Sequence, residues 1–123
     1  MKTYPVLLSE EGLTQAFEIN NIYISNRKLA SIIESVPGVH NVRVRRLFSG
    51  DPEIHIRFGF RGQEFIVEEP FGDNSRYWIG PDDPDREFIN AEPIERAIAK
   101  HQPNILLKIF ADIITLNLSG IFR

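Results

Sequence analysis

The sequence predicts a single α+β domain over residues 1–123, in which helices pack on one face of a four-stranded antiparallel meander. Two observations support this fold class. One segment carries apolar residues at the spacing of a helix, and the segment after it alternates apolar and polar residues as a half-buried strand does. The predicted element order is (β)-α-β-β-β-β-α-α, where the first strand, within residues 17–24, is expected to be bulged around Asn20-Asn21.

The first helix is predicted between Ser25 and Pro37. Its apolar residues fall at positions i, i+3, i+4 and i+7, which form one face of a helix: Leu29, Ile32, Ile33 and Val36. Ser25 is a suitable N-cap, because its hydroxyl can accept a hydrogen bond from a free amide of the first turn. The Pro37-Gly38 pair is a stop signal for the helix.

After Gly38 the apolar period changes to 2, which predicts an antiparallel sheet with one buried and one solvated face. Turns at residues 49–51 and 61–62 set a register that pairs Val44 with Ile56, Val42 with Phe58, Phe58 with Phe65, and Ile56 with Val67. Seven residues then share the buried face: Val42, Val44, Ile54, Ile56, Phe58, Phe65 and Val67. The polar residues between them share the solvated face: Arg43, Arg45, His55, Arg57 and Glu68. The third strand covers residues 64–69, and a short fourth strand covers residues 77–79.

Two helices are predicted after a loop at residues 80–85. The first runs from about residue 90 to residue 101, and the second, from about residue 104 to residue 118, is apolar on most sides. Its surplus apolar face is expected to form a two-fold homodimer through four residues: Leu107, Phe110, Ile114 and Leu118. The alternative is an enclosed helix at the centre of a monomer. Lys108 and Asp112 interrupt the apolar run, which argues against a membrane span.

Composition excludes several classes of protein. The chain has no cysteine, so disulfide scaffolds, cysteine-based zinc sites and thiol nucleophiles are excluded. A formal net charge of −3 does not suit a protein that coats nucleic acid. The apolar run near residue 6 is shorter than the ~7–15 residues that a secretory signal needs. We therefore expect a cytoplasmic protein.

Charge is segregated along the chain. Residues 40–63 contain five arginines and two acidic residues, whereas residues 64–95 contain ten acidic residues and two arginines. The two blocks either neutralise each other in the fold or form a dipolar surface that steers a charged partner. Arginine forms paired hydrogen bonds to carboxylate and phosphate, so a sheet face lined by arginines is a candidate docking surface. Its arginines are Arg43, Arg45, Arg57 and Arg61.

The strongest candidate for catalysis is a predicted row across three strands, formed by Arg45, His55 and Glu68, because a carboxylate beside a histidine raises its basicity. The same row also fits a cross-strand charge ladder, and no nucleophile accompanies it in the sequence. Glycine-rich phosphate loops, nucleophile elbows and zinc-binding helix motifs do not occur in the sequence. We therefore expect no cofactor, no metal and no enzymatic activity.

These observations favour a small protein-interaction module of the adaptor, chaperone-like or immunity type, whose partner is another protein. The alternative is nucleic-acid binding through the arginine-lined face. It is disfavoured by the net acidity, and because Phe58 and Phe60 have the wrong parity to offer base stacking between the arginines. A hydrolase that uses His55 and Glu68 is the third hypothesis.

Overall fold

The computed structural model describes residues 1–20, 24–45, 53–69, 76–101 and 113–114. Within these residues six strands and two helices follow one another in chain order: β1 (Tyr4–Leu8), β2 (Thr14–Asn20), α1 (Asn26–Glu34), β3 (Val39–Val44), β4 (Ile54–Phe60), β5 (Gln63–Glu68), β6 (Arg76–Pro81) and α2 (Glu92–Lys100). The predicted α+β class is confirmed. The expectation of a four-stranded sheet is wrong, because the sheet has six strands.

All neighbouring strands are antiparallel, in the order β1-β2-β6-β5-β4-β3. The predicted meander is present as β3 to β6, and the hairpin of β1 and β2 extends it beyond β6. The sequence of β1 did not reveal a strand, because Tyr4–Leu8 lacks alternation and contains Pro5. Proline is tolerated there because β1 is an edge strand. The strand predicted within residues 17–24 is displaced to Thr14–Asn20, and residues 21–23 lie outside the described residues.

Helix α1 forms as predicted. The side chain of Ser25 caps its first turn by accepting a hydrogen bond from the Lys28 backbone N–H at 3.2 Å. Leu29 and Ile33 are fully buried, and Gly38 follows the helix with a φ of 91°, a value that favours glycine. Helix α1 therefore packs on the sheet through its apolar face.

Helix α2 begins at Glu92, two residues later than predicted, and ends at Lys100. Pro93 lies in its first turn, where no intrahelical hydrogen bond is lost. At its other end the amino group of Met1 donates to the carbonyl oxygens of Ala99 and His101, at 2.7 and 2.9 Å. A cation at a helix C-terminus is favourable, so this contact stabilises the end of α2.

Both described helices pack on one face of the sheet, which we call the inner face. The largest side chains that the core buries completely include four phenylalanines, on β2, β4 and β5: Phe17, Phe58, Phe60 and Phe65. The Phe58 and Phe65 rings stack with centroids 5.5 Å apart. Each such side chain contributes roughly 1.5–3 kcal/mol through burial, so this aromatic cluster is a main stabilising feature of the domain.

Two β-bulges modify the predicted register. Between His40 and Arg43 two residues of β3 lie opposite Phe58, and the first of them, Asn41, has a φ of 54°. Val44 pairs with Ile56 as predicted. The prediction that Val44 is buried is wrong, because its side chain, on an edge strand, is 39% exposed.

The second bulge lies at the start of β4, where Ile54 pairs with Glu68 and Ile56 pairs with Val67. His55 is the extra residue, and it turns toward the inner face, where its ring lies 5.4 Å from that of Tyr77. The predicted solvated position of His55 is therefore wrong, since the residue is only 8% exposed. Ile54 is buried as predicted, but its predicted face is wrong, because it pairs with Glu68 and lies outside the core cluster that contains Ile56.

The ends of β6 and of the described chain also differ from expectation. Gly80 and Pro81, predicted to be loop, belong to β6. The predicted C-terminal helix and the proposed dimer residues Leu107, Phe110 and Leu118 lie outside the described residues. Ile114 is described, is helical and is 38% exposed. Among the described residues, no helix is both long enough and apolar enough to cross a membrane.

Candidate functional site

The side of the sheet opposite α1 and α2, which we call the outer face, carries most of the predicted binding residues. Residues directly paired across antiparallel strands share a face. One row across the sheet therefore joins Tyr4, Glu18, Trp78 and Glu68, and a second row joins Gly80, Ile66, Arg57 and Arg43. No helix of the described residues packs on this face, because the buried helical side chains all join the inner core.

Three arginines of the outer face each contact a carboxylate. Arg43 pairs with Glu64, Arg57 lies 3.7 Å from Asp82, and Arg76 lies 3.3 Å from Glu18. The side chains of Arg43 and Arg57 are about two-fifths exposed, so each of their pairs contributes little to stability, typically about 0–1 kcal/mol. The pairs instead fix the positions of the positive and negative charges, which alternate across the outer face.

The centre of the outer face is apolar. Ile66 is only 5% exposed although it points away from the helices, and it pairs with Gly80. The indole of Trp78 covers that glycine: a Cβ on Gly80 would stand 2.8 Å from Cη2 of Trp78 and 2.6 Å from Cβ of Ala16. An apolar centre within a polar rim is the usual anatomy of a protein-binding surface.

An aromatic–cation stack extends the outer face to its edge. The Arg76 guanidinium lies 3.8 Å from the centroid of the Tyr4 ring, and Asn20 contacts the Tyr4 hydroxyl at 3.5 Å. The sequence argument that no aromatic lies among these arginines is therefore incomplete, because Tyr4 lies on β1, which was not predicted, and Trp78 lies on β6, whose register was not predicted.

The predicted binding residues do not all meet on this face. Arg43, Arg57 and Glu68 lie on it. Arg45 follows β3, and its backbone N–H donates to the His55 carbonyl oxygen at 2.8 Å. Arg61 occupies the hairpin turn with a φ of 49°, and its guanidinium lies 4.8 Å above the ring of Phe60, a residue of the inner core.

His55 belongs to a separate buried cluster between β4, β5, β6 and α1. Its Nδ1 lies 3.2 Å from the side-chain amide nitrogen of Asn26, and the Tyr77 hydroxyl donates to the amide oxygen of Asn26 at 2.8 Å. Nε2 lies 3.1 Å from a carboxylate oxygen of Glu69, an ion-pair distance, but not in line for a hydrogen bond. The predicted partner was Glu68; the bulge at His55 instead brings Glu69 to the ring.

Burial governs the chemistry of this cluster. It lowers the pKa of His55 below the ordinary value; the Glu69 carboxylate opposes this effect and the Arg45 guanidinium adds to it. Burial also raises the pKa of the Tyr77 hydroxyl. Neutral His55 accepts a hydrogen bond at Nδ1 and so carries its proton on Nε2. The cluster can hold one proton in a defined place. Among its four members, Asn26, His55, Glu69 and Tyr77, none is a serine, threonine or cysteine nucleophile.

Asn26 and Tyr77 were missed by the sequence reasoning. Tyr77 falls in a predicted strand and Asn26 in the first turn of a predicted helix, but no sequence pattern links two residues 51 positions apart. They come into contact because β6 pairs with β2. The alternation of apolar and polar residues in the sequence does not predict which strands pair.

A cleft of about 420 Å³ lies between the end of α1 and α2. Its walls include Val36, Pro37 and Ala97, with Arg96 and Lys100 at the rim. Arg96 contacts Glu92 at 3.1 Å. In the described part of the chain, no group of three histidine, aspartate or glutamate residues is placed to hold a metal ion.

Comparison of the chain with protein-family models, with curated proteins and with solved structures gave no match.

Proposed function

We propose that this chain acts by binding another protein through its outer face, as a cytoplasmic adaptor, chaperone-like or immunity-type module, and not by catalysis. The observation that carries the proposal is a sheet face that the two described helices leave uncovered, on which Trp78 remains partly exposed beside the buried Ile66. A partner that covers the exposed part of the Trp78 indole gains free energy, because apolar surface is removed from water.

The charge pattern indicates the chemistry of the partner. Arg43, Arg57 and Arg76 stand next to Glu64, Asp82 and Glu18 respectively. A complementary surface therefore presents carboxylates and cations in alternation around an apolar side chain, which is a property of protein surfaces. A polyanion would meet repulsion from the three carboxylates. Nucleic-acid binding, the second candidate, is supported by the aromatic rings of Tyr4 and Trp78 near these arginines.

Homodimer formation through the C-terminal segment stays a separate prediction. A monomer–dimer equilibrium in sedimentation at micromolar concentration tests it. A dimer that a charge at Phe110 dissociates without unfolding supports the prediction, and a clean monomer of 14.2 kDa contradicts it.

The experiment on the outer face uses two charge reversals of the same residue type. Arg57→Glu places a repulsive charge on the outer face, whereas Arg96→Glu makes the same change on α2. Arg57 is partly exposed, Arg96 is exposed, and each lies beside a carboxylate. Proteins from a lysate of the source cells are captured on the wild-type chain, and each purified candidate is titrated against the three chains. The proposal expects a stoichiometric partner whose affinity falls at least ~10-fold with Arg57→Glu, about 1.4 kcal/mol, and is unchanged with Arg96→Glu.

A parallel titration with a labelled 20-nucleotide single strand and a duplex of the same length decides between the two candidates. Phosphate binding weakens steeply with salt, because bound phosphates release counterions. Nucleic acid that binds the wild-type chain in a salt-dependent manner and is lost with Arg57→Glu would overturn the proposal in favour of the second candidate. Partners that bind all three chains equally would overturn it as well.

A further inference from the structure

The hydrogen-bonded series Tyr77–Asn26–His55, which we call the relay, connects the sheet to the first residue of α1. Tyr77 lies on β6, His55 lies on β4, and Asn26 begins the helix. Two contacts form the relay, at 2.8 Å between Tyr77 and Asn26 and at 3.2 Å between Asn26 and His55. These contacts hold the first turn of α1 against the sheet through two buried side chains, His55 and Tyr77, and the half-buried Asn26.

We propose that the relay is a pH-sensitive latch for the first turn of α1, closed while His55 is neutral and weakened when His55 takes up a proton. The proposal is independent of the outer face and of its partner. It follows from the number of hydrogen-bond donors and acceptors that the three side chains offer one another.

The closed latch has one consistent arrangement of hydrogens. The Tyr77 hydroxyl donates to the amide oxygen of Asn26, whose amide nitrogen then faces His55 as a donor. Nδ1 of His55 must accept, so the neutral ring carries its hydrogen on Nε2, 3.1 Å from Glu69. In this protonation state both hydrogen bonds of the relay form and the Tyr77 hydroxyl hydrogen has an acceptor.

A second proton on the ring breaks this arrangement. It binds Nδ1, so that two donors, the Nδ1–H of His55 and the amide nitrogen of Asn26, face each other across 3.2 Å. If the Asn26 amide rotates by half a turn, its oxygen accepts from the imidazolium and its nitrogen donates to the Tyr77 oxygen, but the Tyr77 hydroxyl hydrogen then has no acceptor in the relay. Tyr77 is buried, so a hydroxyl hydrogen without an acceptor there is costly. Either response weakens the relay, through two donors that face each other or through an unsatisfied buried hydroxyl.

The charges around the ring come from each element packed against it. Glu69, just after β5, favours the imidazolium, whereas Arg45, just after β3, disfavours it. The N-terminal turn of α1 adds the positive end of the helix dipole and contains Arg27, Lys28 and no acidic residue. Burial is the largest effect and lowers the pKa of His55.

The direction of the pH effect follows from this lowered pKa. Between the folded-state pKa and the ordinary value of 6.5, the unfolded chain binds more protons than the folded chain. The contribution of His55 to stability is therefore fully present above pH 6.5 and is lost as the pH falls toward the folded-state pKa. His101, at the end of α2, also has a pKa lowered by burial and serves as the control histidine.

The first test is a titration of the wild-type chain with ¹³C,¹⁵N-labelled histidine, followed by NMR from about pH 8 to about pH 5. The proposal expects His55 as the Nε2–H tautomer at high pH, with a midpoint below that of free histidine. The side-chain amide signals of Asn26 are expected to shift with the same midpoint. An Nδ1–H tautomer, or Asn26 signals that do not follow His55, would overturn it.

The second test uses variants that separate the relay from burial alone. Tyr77→Phe removes the hydroxyl that resists rotation of the Asn26 amide, so the midpoint of His55 is expected to rise. His55→Asn keeps an acceptor near the position of Nδ1 but cannot titrate. The fall in melting temperature on acidification is expected to be smaller in His55→Asn than in the wild-type chain, whereas His101→Asn is expected to keep the part of that fall that His55 causes. An unchanged midpoint in Tyr77→Phe, or equal pH dependence in all chains, contradicts the latch.

Discussion

Replacing glycine with alanine is expected to have different effects at two positions of the outer face, Gly80 and Gly59. Both have ordinary backbone angles, so alanine fits their conformation and only the space around Cβ decides. At Gly80 the new carbon would stand 2.6 Å from Cβ of Ala16, which is fixed to the backbone of β2, and 2.8 Å from the Trp78 ring. At Gly59 it would meet the imidazole of His40, the far end of an exposed side chain.

The change in the free energy of unfolding depends on whether the neighbouring atoms can move away from the new carbon. Overpacking against fixed neighbours costs about 1–3 kcal/mol, and replacing glycine returns about 0.4–1 kcal/mol through the entropy of the unfolded chain. Gly80→Ala is therefore expected to lower the free energy of unfolding by about 1–2 kcal/mol. For Gly59→Ala the His40 ring swings into solvent, and stability is expected to stay within about 0.5 kcal/mol of the wild-type value.

Guanidinium unfolding followed by far-UV circular dichroism measures both variants. Fluorescence adds a local readout, because Trp78 is the only tryptophan of the chain, and its emission is expected to change in Gly80→Ala alone. If Gly80→Ala were as stable as the wild-type chain, or if both variants lost the same free energy, the position of the Trp78 ring over Gly80 would be wrong.

Two further predictions concern α1. Ser25→Ala removes the side-chain acceptor of the Lys28 N–H and is expected to cost about 1 kcal/mol in chemical denaturation, whereas an unchanged midpoint would show that the cap contributes nothing. Leu29→Ala empties a fully buried position under the helix and is expected to cost about 2–5 kcal/mol; a loss below about 1 kcal/mol would contradict the packing of α1 on the sheet.

Sequence patterns predicted those parts of the fold in which the signal is local. Helix α1 and its Ser25 cap depend on residues within one turn of each other, and the pairs Phe58–Phe65 and Ile56–Val67 depend on a two-residue hairpin turn. The positive φ values of Arg61 and Gly62, 49° and 83°, agree with that turn. These predictions are confirmed because short-range geometry decides them.

The rest was decided by long-range pairing and by bulges. The pairing of β2 with β6 joins segments about 60 residues apart. Strand β1 could not be predicted, because Tyr4–Leu8 shows no alternation of apolar and polar residues. One extra residue at His55 reversed its face and exchanged Glu68 for Glu69 as its neighbour, because the bulge shifts Ile54 and His55 by one residue relative to Ile56. The candidate site changed accordingly: arginines Arg43 and Arg57 stayed on the outer face, and His55 left it.

The central claim is that the outer face, with Trp78 near its centre, is where a partner protein binds. The most direct measurement labels the chain with 5-fluorotryptophan, which gives a single ¹⁹F resonance because Trp78 is the only tryptophan. The purified partner obtained by capture is added until sedimentation shows a saturated complex. We expect the Trp78 resonance to shift or broaden in that complex, and the Arg57→Glu chain to need at least ~10-fold more partner for the same change. A saturated complex that leaves the resonance unchanged would contradict the claim.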